Sequence, residues 1–148
     1  MTSIDMTSIR HLLLLPALLI GCAFPPTSET SPSTPLGATA GAEWELHELD
    51  GTPAPLGAGG RRATLVISDS ARVAGFAGCN RYFGSYTVTG TALRFSAIGM
   101  TRMACQEGMT LEQQLARALE ATRSYKLSDN ELILLGESGP VARFRRSP

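Results

Sequence analysis

Gly75-Phe76-Ala77-Gly78-Cys79-Asn80-Arg81-Tyr82-Phe83-Gly84-Ser85-Tyr86 is the stretch on which the fold turns. Gly75, Gly78 and Gly84 each permit a positive φ or a close backbone approach, which a tight corner between two strands requires. Asn80 suits the same corner, because its side chain can bond local amides in a turn. Tyr82, Phe83 and Tyr86 do not alternate cleanly, so at least one ring is expected to lie against the corner and not in the core. Core and corner packing explains this aromatic cluster more simply than a binding surface does.

Strand signals lie on both sides of the corner. Upstream, residues 72–76 and 63–68 alternate in polarity and flank a turn at Asp69-Ser70. Before them comes a Gly- and Pro-rich loop over 51–60, and Trp44-Glu45-Leu46 opens the alternating pattern. Downstream, residues 85–88 and 92–95 form a hairpin about Thr89-Gly90, with Leu93 and Phe95 on one face. One helix is expected: Thr110 as N-cap, Gln113 completing a capping box, and Leu111, Leu115, Ala118, Leu119 and Thr122 on one side. Strands at 131–135 and 141–145 close the chain, and 125–127 can pair with the first of them. About eight short strands and one helix predict a mainly β fold, a small antiparallel β-barrel-like domain with a capping helix.

The chain begins differently. Arg10 and His11 precede an apolar run over 12–20, which is too short for a membrane-spanning helix of ~20 residues but suits a secretory signal. Met6 offers an alternative start. Leu19-Ile20-Gly21-Cys22 resembles the bacterial lipobox, although Ile20 is a less usual residue at its position. The resemblance implies a signal peptide over 1–21, cleavage, and lipidation of Cys22. Acyl chains on Cys22 would graft the protein to a membrane, since each buried CH₂ contributes ~0.8 kcal/mol. A plain signal peptide with a coincidental cysteine is the alternative. Ala23, not Asp, follows Cys22, which implies the outer membrane, facing the periplasm, if the host is Gram-negative. Residues 22–42 are rich in Pro, Ser and Thr and lack apolar periodicity, so they read as a disordered tether. The globular domain is expected over 43–146.

The corner stretch, together with Thr101-Arg102-Met103-Ala104-Cys105, resembles the two motifs of the META domain, the HslJ-like family of heat-inducible small envelope lipoproteins. Residues 112–119 resemble the family's helix, and the ends of the domain also fit. The resemblance implies a β-barrel-like fold and a link to stress tolerance and envelope maintenance. It gives Gly75, Gly78, Asn80, Gly84, Tyr86, Thr101 and Met103 a structural or binding role, and it brings no catalytic residues.

With Cys22 lipidated, two cysteines remain. An even pair in an oxidising compartment is most simply a disulfide, Cys79–Cys105. Closing a loop of about 26 residues stabilises by roughly 3.5 kcal/mol on the chain-entropy model. The alternative is a reactive Cys79 thiol activated by His47, which lacks an identified third orienting group.

Other chemistries find little support. Thirteen basic and thirteen acidic residues give zero formal net charge, and no basic stripe marks a nucleic-acid footprint. Arg61-Arg62 and Arg145-Arg146 read as solvated strand ends. His47 is the only histidine of the processed chain, so a structural zinc site is not expected, and no cofactor motif occurs. Gly57-Ala58-Gly59-Gly60 precedes no helix that would cradle a phosphate. Glu43, Glu45, Glu48 and Asp50 read as a solvated strand face. The expectation is a membrane-anchored, non-enzymatic module that binds an envelope protein or an apolar ligand. The alternatives are a Cys79/His47 periplasmic enzyme, a pilotin-like lipid binder with an acyl chain in the barrel, and, by analogy alone, a hydrolase inhibitor.

Overall fold

The structure, a computed structural model, describes residues 35–148. The expected signal segment over 1–21, Cys22 and the expected tether up to residue 34 lie outside the described residues.

Two-residue alternation decides which side of each strand faces the core. β1 (Glu43–Leu49) buries Trp44, Leu46 and Leu49. A two-residue β2 (Thr52–Pro53) follows, inside the region read as loop. β3 (Thr64–Ile67) buries Leu65 and Ile67, and β4 (Arg72–Phe76) buries Val73. β5 (Arg81–Thr89) turns Tyr82, Gly84 and Tyr86 inward, and β6 (Ala92–Met100) turns Leu93 inward. After helix α1 (Met109–Ala121), β7 (Ser124–Leu127), β8 (Glu131–Gly136) and β9 (Gly139–Arg146) add Tyr125, Leu132, Leu134 and Phe144 to the same core.

Every pairing is antiparallel, in the order β2-β1-β3-β4-β5-β6-β7-β8-β9. Pairing of β1 with β9, from Trp44↔Arg146 to Leu49↔Ala142, joins the two sides of the sheet into a ring. The expected mainly β architecture with one helix is present, with a ninth strand supplied by β2. The ring is thinnest between β6 and β7, which pair only at Ala92↔Ser124. Helix α1 packs against β6 on one side of this seam and β8 on the other.

The helix buries Leu111, Leu115, Ala118 and Leu119, as its periodicity predicts. Its start differs from the expected Thr110 capping box. Gly108 is the N-cap, in the left-handed region at φ 88°, and no side chain caps the helix. The reason is crowding: a Cβ at Gly108 would run into the Gly78 carbonyl oxygen, so two glycines let the loop and the corner touch backbone to backbone.

Residues 35–42, read from sequence as tether, are anchored to the domain through the buried Leu36 and Thr39. Leu36–Thr39 form a 3-10 turn with Leu36 buried in the core. The Leu36 N–H donates to the Tyr125 hydroxyl oxygen at 3.1 Å, and the Gly41 N–H donates to the Ile67 carbonyl at 2.8 Å. One leucine among small residues produces no periodicity, so pattern reading passes over it.

Candidate functional site

The corner between β4 and β5 is held from three directions. Asn80 is buried, and its side chain reaches beyond the turn in which it sits. Its Oδ1 accepts from the Met103 N–H at 2.7 Å and from the Thr101 hydroxyl at 3.0 Å. Its Nδ2 donates to the Met103 carbonyl at 3.1 Å and to Glu112 Oε1 at 3.3 Å. The Asn80 backbone N–H donates to Glu112 Oε2 at 2.7 Å. Local bonding was expected of Asn80; the long-range bonds win because the 101–105 segment lies against the corner, where unpaired amide groups would be costly.

A Cys79–Cys105 disulfide joins the same two segments, with Cα atoms 5.8 Å apart. That bond removes the thiol on which a Cys79/His47 nucleophile depends, so this alternative is corrected. His47 itself lies at a β-bulge in β1, between Leu46 and Glu48. Its pKa is held below the ordinary 6.5, chiefly by partial burial and then by Arg62 and Arg145, with Glu45 pulling the other way.

The motif residues occupy distinct places. Gly78 needs its glycine for φ 119°, whereas Gly75 and Gly84 need theirs for close approach, to the Thr64 and Ser96 carbonyls. Tyr82 and Tyr86 are core residues whose hydroxyls donate to the Thr64 and Ser68 carbonyls at 2.9 and 2.8 Å. Burial raises the pKa of both phenols. Phe83, between them, is the ring left outside, half exposed and lying over Gly99. Thr101 also accepts from the Arg81 N–H at 3.1 Å. Met103 serves through its backbone, since its side chain is 59 % exposed. Glu112, the carboxylate that completes the clamp, was read from sequence only as part of the helix. Its one local signal is its place in the first turn of α1, where acidic residues are favoured.

A second feature lies on the outer face of β1, β3, β4 and β5. There a groove of about 680 Å³ runs beneath the loop that carries Leu56 and Arg61. Strand register lays its residues out in two rows. One runs from Glu45 opposite Thr64 to Phe76 opposite Arg81, bridged by the Phe76 N–H donating to Thr64 Oγ1 at 3.2 Å. The other runs Glu43, Val66, Ala74. Arg61 was expected to be a solvated strand end. It is exposed, as that reading has it, and its guanidinium carbon also lies 4.0 Å from the Phe76 ring centroid, a cation–π contact. Among the described residues, the ion pairs within 4.0 Å involve Arg123, Arg143 and their partners, and none of the groove's charges.

The ring interior is filled by side chains: Trp44, Tyr82, Phe144 and a set of leucines are fully buried there. An acyl chain held inside would have to displace them. Among the described residues no group of three His, Cys, Asp or Glu side chains could hold a metal ion.

A ring of antiparallel strands with one packed helix and a disulfide-braced corner defines a small β module. The META domain model matches residues 37–148, and the chain belongs to that family. Among solved structures, the chain is similar to a protein from Burkholderia xenovorans determined by NMR, at 30% identity and TM-score 0.63, over 84% of this chain and 97% of that one. A second NMR structure is similar at 19% identity and TM-score 0.56, over 70% and 87% of the two chains. A DUF4847 family protein from Bacteroides vulgatus shares the fold at 11% identity and TM-score 0.50, over 76% and 94%. No curated protein sequence matches the chain.

Proposed function

We propose that this META domain protein is a lipid-anchored, non-enzymatic binding module of the cell envelope, supporting envelope integrity under stress. Cleavage after Gly21 and acylation of Cys22 graft it to the membrane. If the host is Gram-negative, that membrane is the outer one, and the domain faces the periplasm. The observation that carries this reading is the Cys79–Cys105 disulfide, the bond expected of a small domain in an oxidising compartment. The lipobox-like Leu19-Ile20-Gly21-Cys22 supports the anchoring. The packed core supports recognition of a protein or ligand on the outer face.

The test is expression in the native host with radiolabelled palmitate, followed by membrane fractionation. Wild-type chain takes up label and sediments with membranes, and Cys22→Ser abolishes both. Unlabelled, soluble and reduced wild-type protein overturns the proposal.

A further inference from the structure

We propose that Met103 and Met109 form an oxidant-consuming site, where two-electron oxidants of the peroxide class convert thioether to sulfoxide while the domain stays folded. Such a site goes beyond the binding reading and is independent of the lipid anchor.

Outside residues 1–21 the methionines of the chain are Met100, Met103 and Met109, all within ten residues. Their surroundings separate them. Met103 is 59 % and Met109 37 % exposed, and both line one shallow hollow of about 300 Å³ beside Asn80 and Glu112. Met100 ends β6, pairs with Tyr82 and packs against the core.

The other readily oxidised side chains are sheltered. Cys79 and Cys105 are joined in the disulfide, so neither offers a thiol. Trp44, Tyr82, Tyr86 and Tyr125 are buried. Among the described residues, an oxidant arriving from solvent therefore meets the sulfur atoms of Met103 and Met109 first.

Each sulfur takes up one oxygen atom. A lone pair on the thioether sulfur attacks one peroxide oxygen, the O–O bond breaks and an S–O bond forms. The displaced hydroxide takes the proton left on the transferred oxygen and departs as water. Sulfur is oxidised by two electrons and hydrogen peroxide is reduced by two, giving sulfoxide and water.

The fold tolerates this change at Met103 because the residue serves through its backbone. Its N–H donates to Asn80 Oδ1 and its carbonyl accepts from Asn80 Nδ2, and neither bond involves sulfur. Met109 opens α1, ahead of the first buried helical position at Leu111. An exposed sulfoxide keeps its oxygen in water, whereas the same oxygen in the core would lack a partner and be costly. Methionine sulfoxide reductases, one for each sulfoxide epimer, restore the thioethers.

The test treats the purified full chain, disulfide intact, with dilute hydrogen peroxide and maps oxygen uptake by tryptic mass spectrometry. Cleavage after Arg94, Arg102 and Arg117 leaves Met100 on one peptide and Met103 with Met109 on the next, where fragmentation tells the two apart. Met103 and Met109 should gain oxygen about tenfold faster than Met100, with Met103 first. With both as sulfoxides, the urea midpoint should match that of untreated protein, and the two reductases should reverse the mass gain. Met103→Leu/Met109→Leu should retain only the slow uptake at Met100 within residues 35–148. Met100 oxidised as fast as Met103 overturns the proposal, and so does a midpoint that falls as Met103 and Met109 are oxidised. Neither failure touches the palmitate experiment, which tests anchoring separately.

Discussion

Asn80 and Glu112 stand 32 residues apart in sequence and meet through two hydrogen bonds, the backbone one at 2.7 Å and the side-chain one at 3.3 Å. The carboxylate of the helix's first turn thereby satisfies amides of the β4–β5 corner. Asn80 spends its remaining capacity on Thr101 and Met103. Asn80→Ala leaves the Met103 amide and one Glu112 oxygen without partners, and the expected loss is about 2–4 kcal/mol by urea denaturation. Met103→Ala, which keeps the backbone bonds and alters an exposed side chain, should fall within about 0.5 kcal/mol of wild type. Equal losses from the two variants would show that the clamp does not work through Asn80.

The disulfide and the Asn80 bonds tie the same loop to the same corner, but they act differently. The covalent link restricts the unfolded chain, so its removal lowers global stability by about 3.5 kcal/mol. It is not a strand-pairing element, and the ring is expected to survive its loss. Cys79→Ser/Cys105→Ser should therefore unfold at lower denaturant with unchanged far-ultraviolet circular dichroism. Amides of residues 101–108 should lose hydrogen-exchange protection before those of β8 and β9. Uniform loss across all strands would mean that the bridge holds the ring itself.

Leu36 belongs to the core although the surrounding sequence looks like a linker. Its side chain is 1 % exposed, and its amide donates to a Tyr125 hydroxyl that in turn donates to the Gly90 carbonyl at 3.3 Å. Leu36→Ala is expected to cost about 2–4 kcal/mol. Extending an N-terminal deletion from residue 34 to residue 42 should lower the unfolding midpoint by at least the Leu36→Ala amount. Equal midpoints for the two deletions would place the working boundary at β1.

What could be read from the chain is local. Alternation in β1, β3 and β4 and the apolar face Leu111, Leu115, Ala118, Leu119 are written in neighbouring residues, and these elements form where the pattern puts them. The Gly75–Tyr86 corner and the cysteine pair are legible for the same reason, since glycine spacing and the two cysteines that remain once Cys22 of the lipobox-like stretch is set aside need no partner to be seen. The rest depends on distant segments. The left-handed start of α1 at Gly108 follows from contact with Gly78, which no capping rule contains. Glu112 looks like any helical carboxylate until the corner lies beneath it. Arg61 is solvated as its sequence suggests, but nothing near it in the chain announces the Phe76 ring beside its guanidinium. Even β2 exists only because the end of β1 offers it an edge.

His47 offers a pH readout of the β1 surface. Partial burial disfavours its protonated form, Arg62 and Arg145 repel it, and Glu45 only partly offsets them. The folded pKa therefore lies below 6.5, and the unfolded chain takes up the proton first as pH falls. The sign follows: the contribution of His47 to stability is complete above 6.5 and declines as pH drops from there toward the folded value. An NMR titration of the imidazole, assigned with His47→Gln, should give a midpoint under 6.5. Arg62→Gln should raise that midpoint by removing the first of the repelling charges, and Glu45→Gln should lower it by removing the attracting one. A midpoint that ignores both substitutions would leave burial and Arg145 as the causes and would place Arg62 and Glu45 too far from the imidazole to act on it.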